Sequence, residues 1–95
     1  MNSAKQGFIN EIKLFSDELN SKNPRQESLE WYLLNNLKNY LHSISHAQSS
    51  QDIIRATKIF SRFCVESMDW NNELYKKCSH ITHMGLQFSK ESRKL

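Results

Sequence analysis

Glycine and proline are nearly absent from the 95 residues, which hold Gly7, Gly85 and Pro24 and no others of either kind. A sandwich or barrel of short strands needs a turn every ~8–12 residues, and these three cannot supply them. The chain therefore reads as all-α. Cysteine is as sparse, with Cys64 and Cys78 alone, too few for a disulfide framework. No run approaches the ~18 apolar residues of a membrane span. The opening Met-Asn-Ser-Ala-Lys-Gln-Gly holds no uninterrupted apolar stretch of the secretory kind, and the closing Arg93-Lys94-Leu95 departs from a Ser-Lys-Leu peroxisomal address. A cytoplasmic protein is expected. Charge of one sign is also lacking: thirteen Lys/Arg against ten Asp/Glu give a net +3, with the two signs interleaved. That balance permits nucleic-acid binding without implying it.

What is present suffices for one core. The chain is 38% hydrophobic and 11% aromatic, and its length suits one domain over residues 1–95, since domains run from about 50 to 250 residues. A domain this small buries little more than roughly 60% of its unfolded surface, so self-association as a homodimer is one expectation.

Phe8, Ile12, Phe15 and Leu19 follow at spacings of 4, 3 and 4. With Ala4 they form one apolar stripe, with Lys13, Asp17 and Asn10 opposite. This predicts a helix over about 3–21 with Ser3 as N-cap and Leu14 as a misfit on its polar side. Pro24 suits the first position of a second helix with Asn23 as its cap. That helix runs to about His46, and its broad face of Leu29, Leu33, Leu34, Leu37, Tyr40, Leu41, Ile44 and Ala47 predicts contact with two neighbours. The short polar connection after it predicts an antiparallel third helix, capped by Ser49 or Ser50 and acidic at Asp52 in its first turn.

From Ile53 the stripe of Ala56, Phe60, Phe63, Cys64, Leu74, Cys78 and Ile81 keeps one phase, interrupted only where Ser67 and Asn71 fall on it. Two architectures follow. The unbroken phase and missing glycine favour an antiparallel bundle of three helices with a long last helix, about 51–90. Such a helix spans roughly 60 Å, and its second half needs a partner, such as a second copy. The Ser, Asp and Asn of residues 67–72 favour a break there, with Ser67 or Asp69 capping a fourth helix of a closed monomeric bundle. On one helix the two cysteines stand about 21 Å apart, beyond the ~7 Å Cα limit of a disulfide, so an intrachain disulfide refutes the long helix.

No motif of catalysis or nucleotide binding occurs, and the protein is expected not to be an enzyme. His42 with His46 and His80 with His83 have spacings that could share a metal, but both pairs point away from the apolar stripes, so no metal site or cofactor is expected. Cys64 and Cys78 fall mid-helix on the stripe and read as small hydrophobes rather than nucleophiles. Asp17 with Glu18 and Glu27 with Glu30 read as surface charge or complements to the helix dipole. Arg55, Lys58 and Arg62 make a basic ridge opposite Phe60, which could meet phosphates. It runs on into Glu66, Asp69 and Glu73, and Arg62 pairs with Glu66 at i,i+4 as on a plain solvated face. Lys90, Arg93 and Lys94 suit a helix C-terminus.

The most unusual feature is the back of the second helix, where Trp31, Asn35, Lys38 and His42 succeed one another with Tyr32 and Asn39 alongside. Aromatics with polar tips set among Asn and His are enriched at protein interfaces. The plainer alternative is that Trp31 packs on a neighbouring helix. Trp70, beside the polar interruption, could serve the fold or a self-interface. The leading expectation is a small non-enzymatic binding module, an adaptor, inhibitor or regulator, that presents Trp31, Tyr32, Asn35, Lys38, Asn39 and His42 to a protein partner. A nucleic-acid-associated protein using Arg55, Lys58 and Arg62 is the first alternative. A homodimeric assembly protein, with Ser67 and Asn71 fixing register, is the second.

Overall fold

The structure, a computed structural model, describes residues 3–69 and 71–92, with the side chains of residues 5–69 and 71–90. Trp70, Arg93, Lys94 and the side chains of Ser3 and Ala4 lie outside the described residues. Among the described residues the chain forms four helices and no strand: α1 Ser3–Ser21, α2 Leu29–Ser45, α3 Ser50–Ser67 and α4 Glu73–Ser92. α1 packs on α2 and α4, and α3 packs on α2 and α4, which closes an antiparallel four-helix ring. The longest dimension is 41 Å, shorter than the roughly 60 Å that an unbroken helix over 51–90 would need. The long-helix alternative is thereby replaced by the bundle with a break.

The break comes from local hydrogen bonding. Met68 is extended, its N–H still donating to the Cys64 carbonyl, and its side chain is buried against the end of the core. Asn72 then starts α4: its Oδ1 accepts from the Leu74 N–H at 2.8 Å, and its carbonyl accepts from Lys76 N–H at 3.1 Å. The expected caps Ser67 and Asp69 are not used; the cap is Asn72, the last residue of the polar hexapeptide. Ser67 and Asn71, expected to face the core, are exposed because the break frees them from the stripe.

A second correction concerns Pro24. It ends α1 rather than opening α2. Lys22 and Asn23 donate back to the Leu19 and Asn20 carbonyls at 3.2 and 3.1 Å, and Asn23 takes a left-handed φ of 52°. Asn tolerates that region better than most residues, and proline next in sequence cannot continue a helix. The chain turns once more over Arg25–Ser28, with Glu27 also left-handed at φ 68°. Ser28 is the true cap of α2, its Oγ accepting from the Trp31 N–H at 3.2 Å. Ser49 caps α3 as expected, accepting from the Asp52 N–H at 3.2 Å, while the Asp52 carboxylate accepts from Gln48 N–H at 3.1 Å. This is close to the reciprocal capping box.

The expected stripes supply the core. Phe8, Ile12, Phe15 and Leu19 come from α1, and Leu33, Leu34, Leu37, Tyr40 and Ile44 from the two-sided α2. Ile53, Ala56, Phe60 and Cys64 of α3 and Cys78 and Ile81 of α4 continue it, while Phe63 and Leu74 of that stripe are only partly buried and Phe88, outside the expected stripe, joins the core. At its centre Phe8 meets Tyr40 edge-on at 5.8 Å and Phe88 at 5.9 Å, and Tyr40 stacks on Phe60 at 4.9 Å. The Tyr40 hydroxyl shares a 2.7 Å hydrogen bond with Thr57. Buried there, it is pushed well above the usual phenol range. Leu14 is 63% exposed, the misfit its position predicted.

Candidate functional site

The outer face of α2 is built from its first turn. The Ser28 cap holds the Trp31 N–H, and the Ser28 carbonyl accepts from Tyr32 N–H at 3.0 Å, so both aromatic residues leave the helix from a pinned backbone. Their rings meet edge to face at 5.0 Å. Trp31 is half-buried and Tyr32 is 44% exposed. The rings thus present one apolar step with a polar rim. Asn35, Lys38, Asn39 and His42 continue from it, all exposed. The Asn35 amide donates to the Trp31 carbonyl and the Asn36 amide to the Tyr32 carbonyl, each at 2.9 Å. These bonds leave the helix backbone doubly engaged beneath the two aromatics.

His42 ends the row. Its ring lies 4.3 Å from that of His46, whose Nδ1 sits 2.9 Å from the His42 carbonyl. His80 and His83 are exposed on α4. Arg55, Lys58 and Arg62 share the exposed face of α3, and Arg62 Nε donates to Glu66 at 3.0 Å as its spacing predicts. Cys64 and Cys78 are buried free thiols.

No family model, curated protein or solved structure matches the chain. Its functional reading therefore rests on its own geometry.

Two surface clefts among the described residues draw partly on residues singled out in the sequence, the second including Lys58 and Arg62 of the basic ridge. One runs between α1 and α4, about 370 Å³ in volume, with Leu14, Phe15 and Ile81 on its apolar wall. Its charged rim is largely paired: Lys77 donates to Glu18 at 2.6 Å and Lys76 lies 3.5 Å from Glu73. The Lys77 ammonium holds the Glu18 carboxyl below its usual range, the opposite of what a general acid at neutral pH requires. Lys77 also sits 5.7 Å from the Phe15 ring centre. The other cleft lies between α3 and α4, where exposed Val65 and Leu86 flank Thr57, Ser61 and Thr82. Leu14 was visible as a misfit in its helix. Val65 and Leu86 carried no such signal, because helical phase alone does not say which flank of a stripe a neighbour covers.

Proposed function

We propose that this chain is a small non-enzymatic protein-binding module that engages its partner through the outer face of α2. The observation that carries the reading is the Trp31–Tyr32 ring pair, 5.0 Å apart at the edge of the bundle. Tyr32 remains 44% exposed there. Paired aromatics with polar tips are the groups that dominate protein interfaces, and Asn35, Lys38, Asn39 and His42 would form the polar rim around such an anchor. Tyr32 is the better probe of the two, because Trp31 is half-buried and its loss would also disturb packing.

The test is affinity capture with the immobilised chain, comparing wild type with Tyr32→Ser and Lys38→Glu. The same captured protein should be lost from both variants while their helical circular dichroism and melting stay unchanged. An interface anchor of this kind is worth ~2 kcal/mol or more, or about a thirtyfold loss of affinity. Equal capture by all three chains removes the proposal.

Arg55, Lys58 and Arg62 support a second reading, nucleic-acid association, because all three are exposed on one face of α3. Glu66 on Arg62 weakens that ridge. Binding to duplex DNA that fails to weaken steeply with added salt would count against it. Assembly as a homodimer has lost one motive, since α4 is covered within the chain by α1 and α3. Sedimentation as a monomer at high concentration would remove it.

A further inference from the structure

Cys64 and Cys78 lie on different helices, and the register that brings them together is set elsewhere. At Gly85 the backbone of α4 comes so close to α3 that a Cβ there would lie 2.8 Å from Thr57 Oγ1. The two helices are antiparallel. Seven residues forward from Thr57 and seven back from Gly85 therefore reach Cys64 and Cys78. Seven residues return a helix to the same face within ~20°. The seam that closes over Gly85 thus turns the two cysteines toward each other. Burial agrees, with Cys64 3% and Cys78 0% exposed within one core cluster. Both are free thiols. Packed helices have axes ~8–10 Å apart and Cα atoms on cylinders of ~2.3 Å radius. Facing Cα atoms are then ~3.5–5.5 Å apart, overlapping the ~4.4–6.8 Å of disulfides.

We infer that Cys64 and Cys78 form a reversible intrachain disulfide site that staples α3 to α4 when the protein meets an oxidised low-molecular-weight disulfide. The exchange runs in two steps. One cysteine loses its proton, and its thiolate attacks a sulfur of the reagent, forming a mixed disulfide and releasing one reagent thiolate. The second cysteine, also deprotonated, attacks the protein-bound sulfur of that mixed disulfide and expels the second reagent thiolate. The two protons end on the two released thiols, and two electrons have passed to the reagent. In the closed bundle both thiols are buried, and the neighbouring Cys64 side chain, followed by burial, pushes the Cys78 thiol above its ordinary range. The reagent therefore gains access when α3 and α4 part locally, so the rate follows opening of this hairpin. Once formed, the bond restricts the unfolded chain and raises thermal stability. This inference stands apart from the reading of α2.

The test equilibrates the full chain with graded ratios of oxidised to reduced glutathione, traps free thiols by alkylation, and maps the products by mass spectrometry. Expected is a monomer lighter by two hydrogen atoms, with a Cys64–Cys78 linked peptide and a thermal midpoint above that of the reduced chain. Dithiothreitol should reverse both. Cys64→Ser and Cys78→Ser should each stop at a glutathione adduct; if either fails to fold, the wild-type map decides alone. A chain that stays fully alkylated, yields only adducts or interchain dimers, or forms the link with a lowered midpoint overturns the inference.

Discussion

Replacing Gly85 by alanine should destabilise the bundle, although the same change in an open helix would stabilise it. Gly85 is buried in α4, and the Cβ would be driven against the Tyr40 hydroxyl, with Thr57 Oγ1 at 2.8 Å and Phe8 Cζ at 3.1 Å. The first two atoms are the partners of the buried 2.7 Å hydrogen bond. Tyr40 cannot swing aside, because its ring is held between Phe8 and Phe60. Overpacking a filled core costs ~1–3 kcal/mol, and parting the buried hydroxyls costs a further ~1–3 kcal/mol. Alanine returns ~1 kcal/mol of helix propensity. The net loss is about 1–5 kcal/mol, centred near 3, and a domain of this size loses roughly 4–8 °C of melting temperature per kcal/mol. Urea unfolding followed by far-ultraviolet circular dichroism measures it. Gly7→Ala is the control: nothing lies within 4 Å of its added Cβ, so it should gain up to ~1 kcal/mol. Combining Gly85→Ala with Thr57→Ala should cost less than the two singles added, since the second change vacates the contested space. If Gly85→Ala stabilises as Gly7→Ala does, the close approach of α4 to Tyr40 and Thr57 is wrong.

Three further outcomes follow from named contacts. Asn72→Ala removes the cap of α4 and should cost ~1 kcal/mol in chemical denaturation, whereas Asn71→Ala, exposed beside it, should change stability by less than ~0.5 kcal/mol. Equal effects would place the cap elsewhere. Glu18 has its pKa depressed from 4.5, chiefly by its hydrogen bond to Lys77 and then by the Lys77 charge. Its contribution is therefore present above 4.5 and lost as pH falls through the lower folded value. Wild type should melt above Glu18→Gln at neutral pH and low salt, the gap closing in acid or at high salt; a gap indifferent to both would refute the ion pair. Tyr40 has its pKa raised above 10.0, chiefly by burial, so the folded chain keeps a proton that the unfolded chain releases. Stability should fall as pH rises beyond 10.0, with a shallower fall in Tyr40→Phe; equal slopes would mean that Tyr40 is hydrated. That variant also strands the Thr57 hydroxyl, at about 1–3 kcal/mol.

Much of this was legible because helix formation is a local matter. The spacing of Phe8, Ile12, Phe15 and Leu19, the wide face of α2 and the Ser49 cap needed only near neighbours in the chain. All reappear in the bundle. The row from Trp31 to His42 was legible as a row for the same reason, and its exposed members are those the helical period placed opposite Leu33 and Leu37. The α3–α4 break was less legible because phase records which side of a helix is apolar and says nothing of whether the axis continues. Asn72 before Glu73 was the available local signal, a capping side chain ahead of an acidic first turn. Pro24 misled because a proline that stops one helix and a proline that starts the next look alike in sequence.

The sequence by itself determined an all-helical chain, the apolar faces of its segments and the near absence of residues able to bend it. Tertiary structure alone decided what two of its scarcest residue types do. Gly85 read as a residue near the chain end; folding makes it the point where α4 comes closest to Tyr40 and Thr57. Cys64 and Cys78 read as separate small hydrophobes, and a hairpin register set at that glycine turns them face to face. Local periodicity cannot hold such information, because the contacts join residues whose separation in the chain is bridged only when α3 and α4 pack.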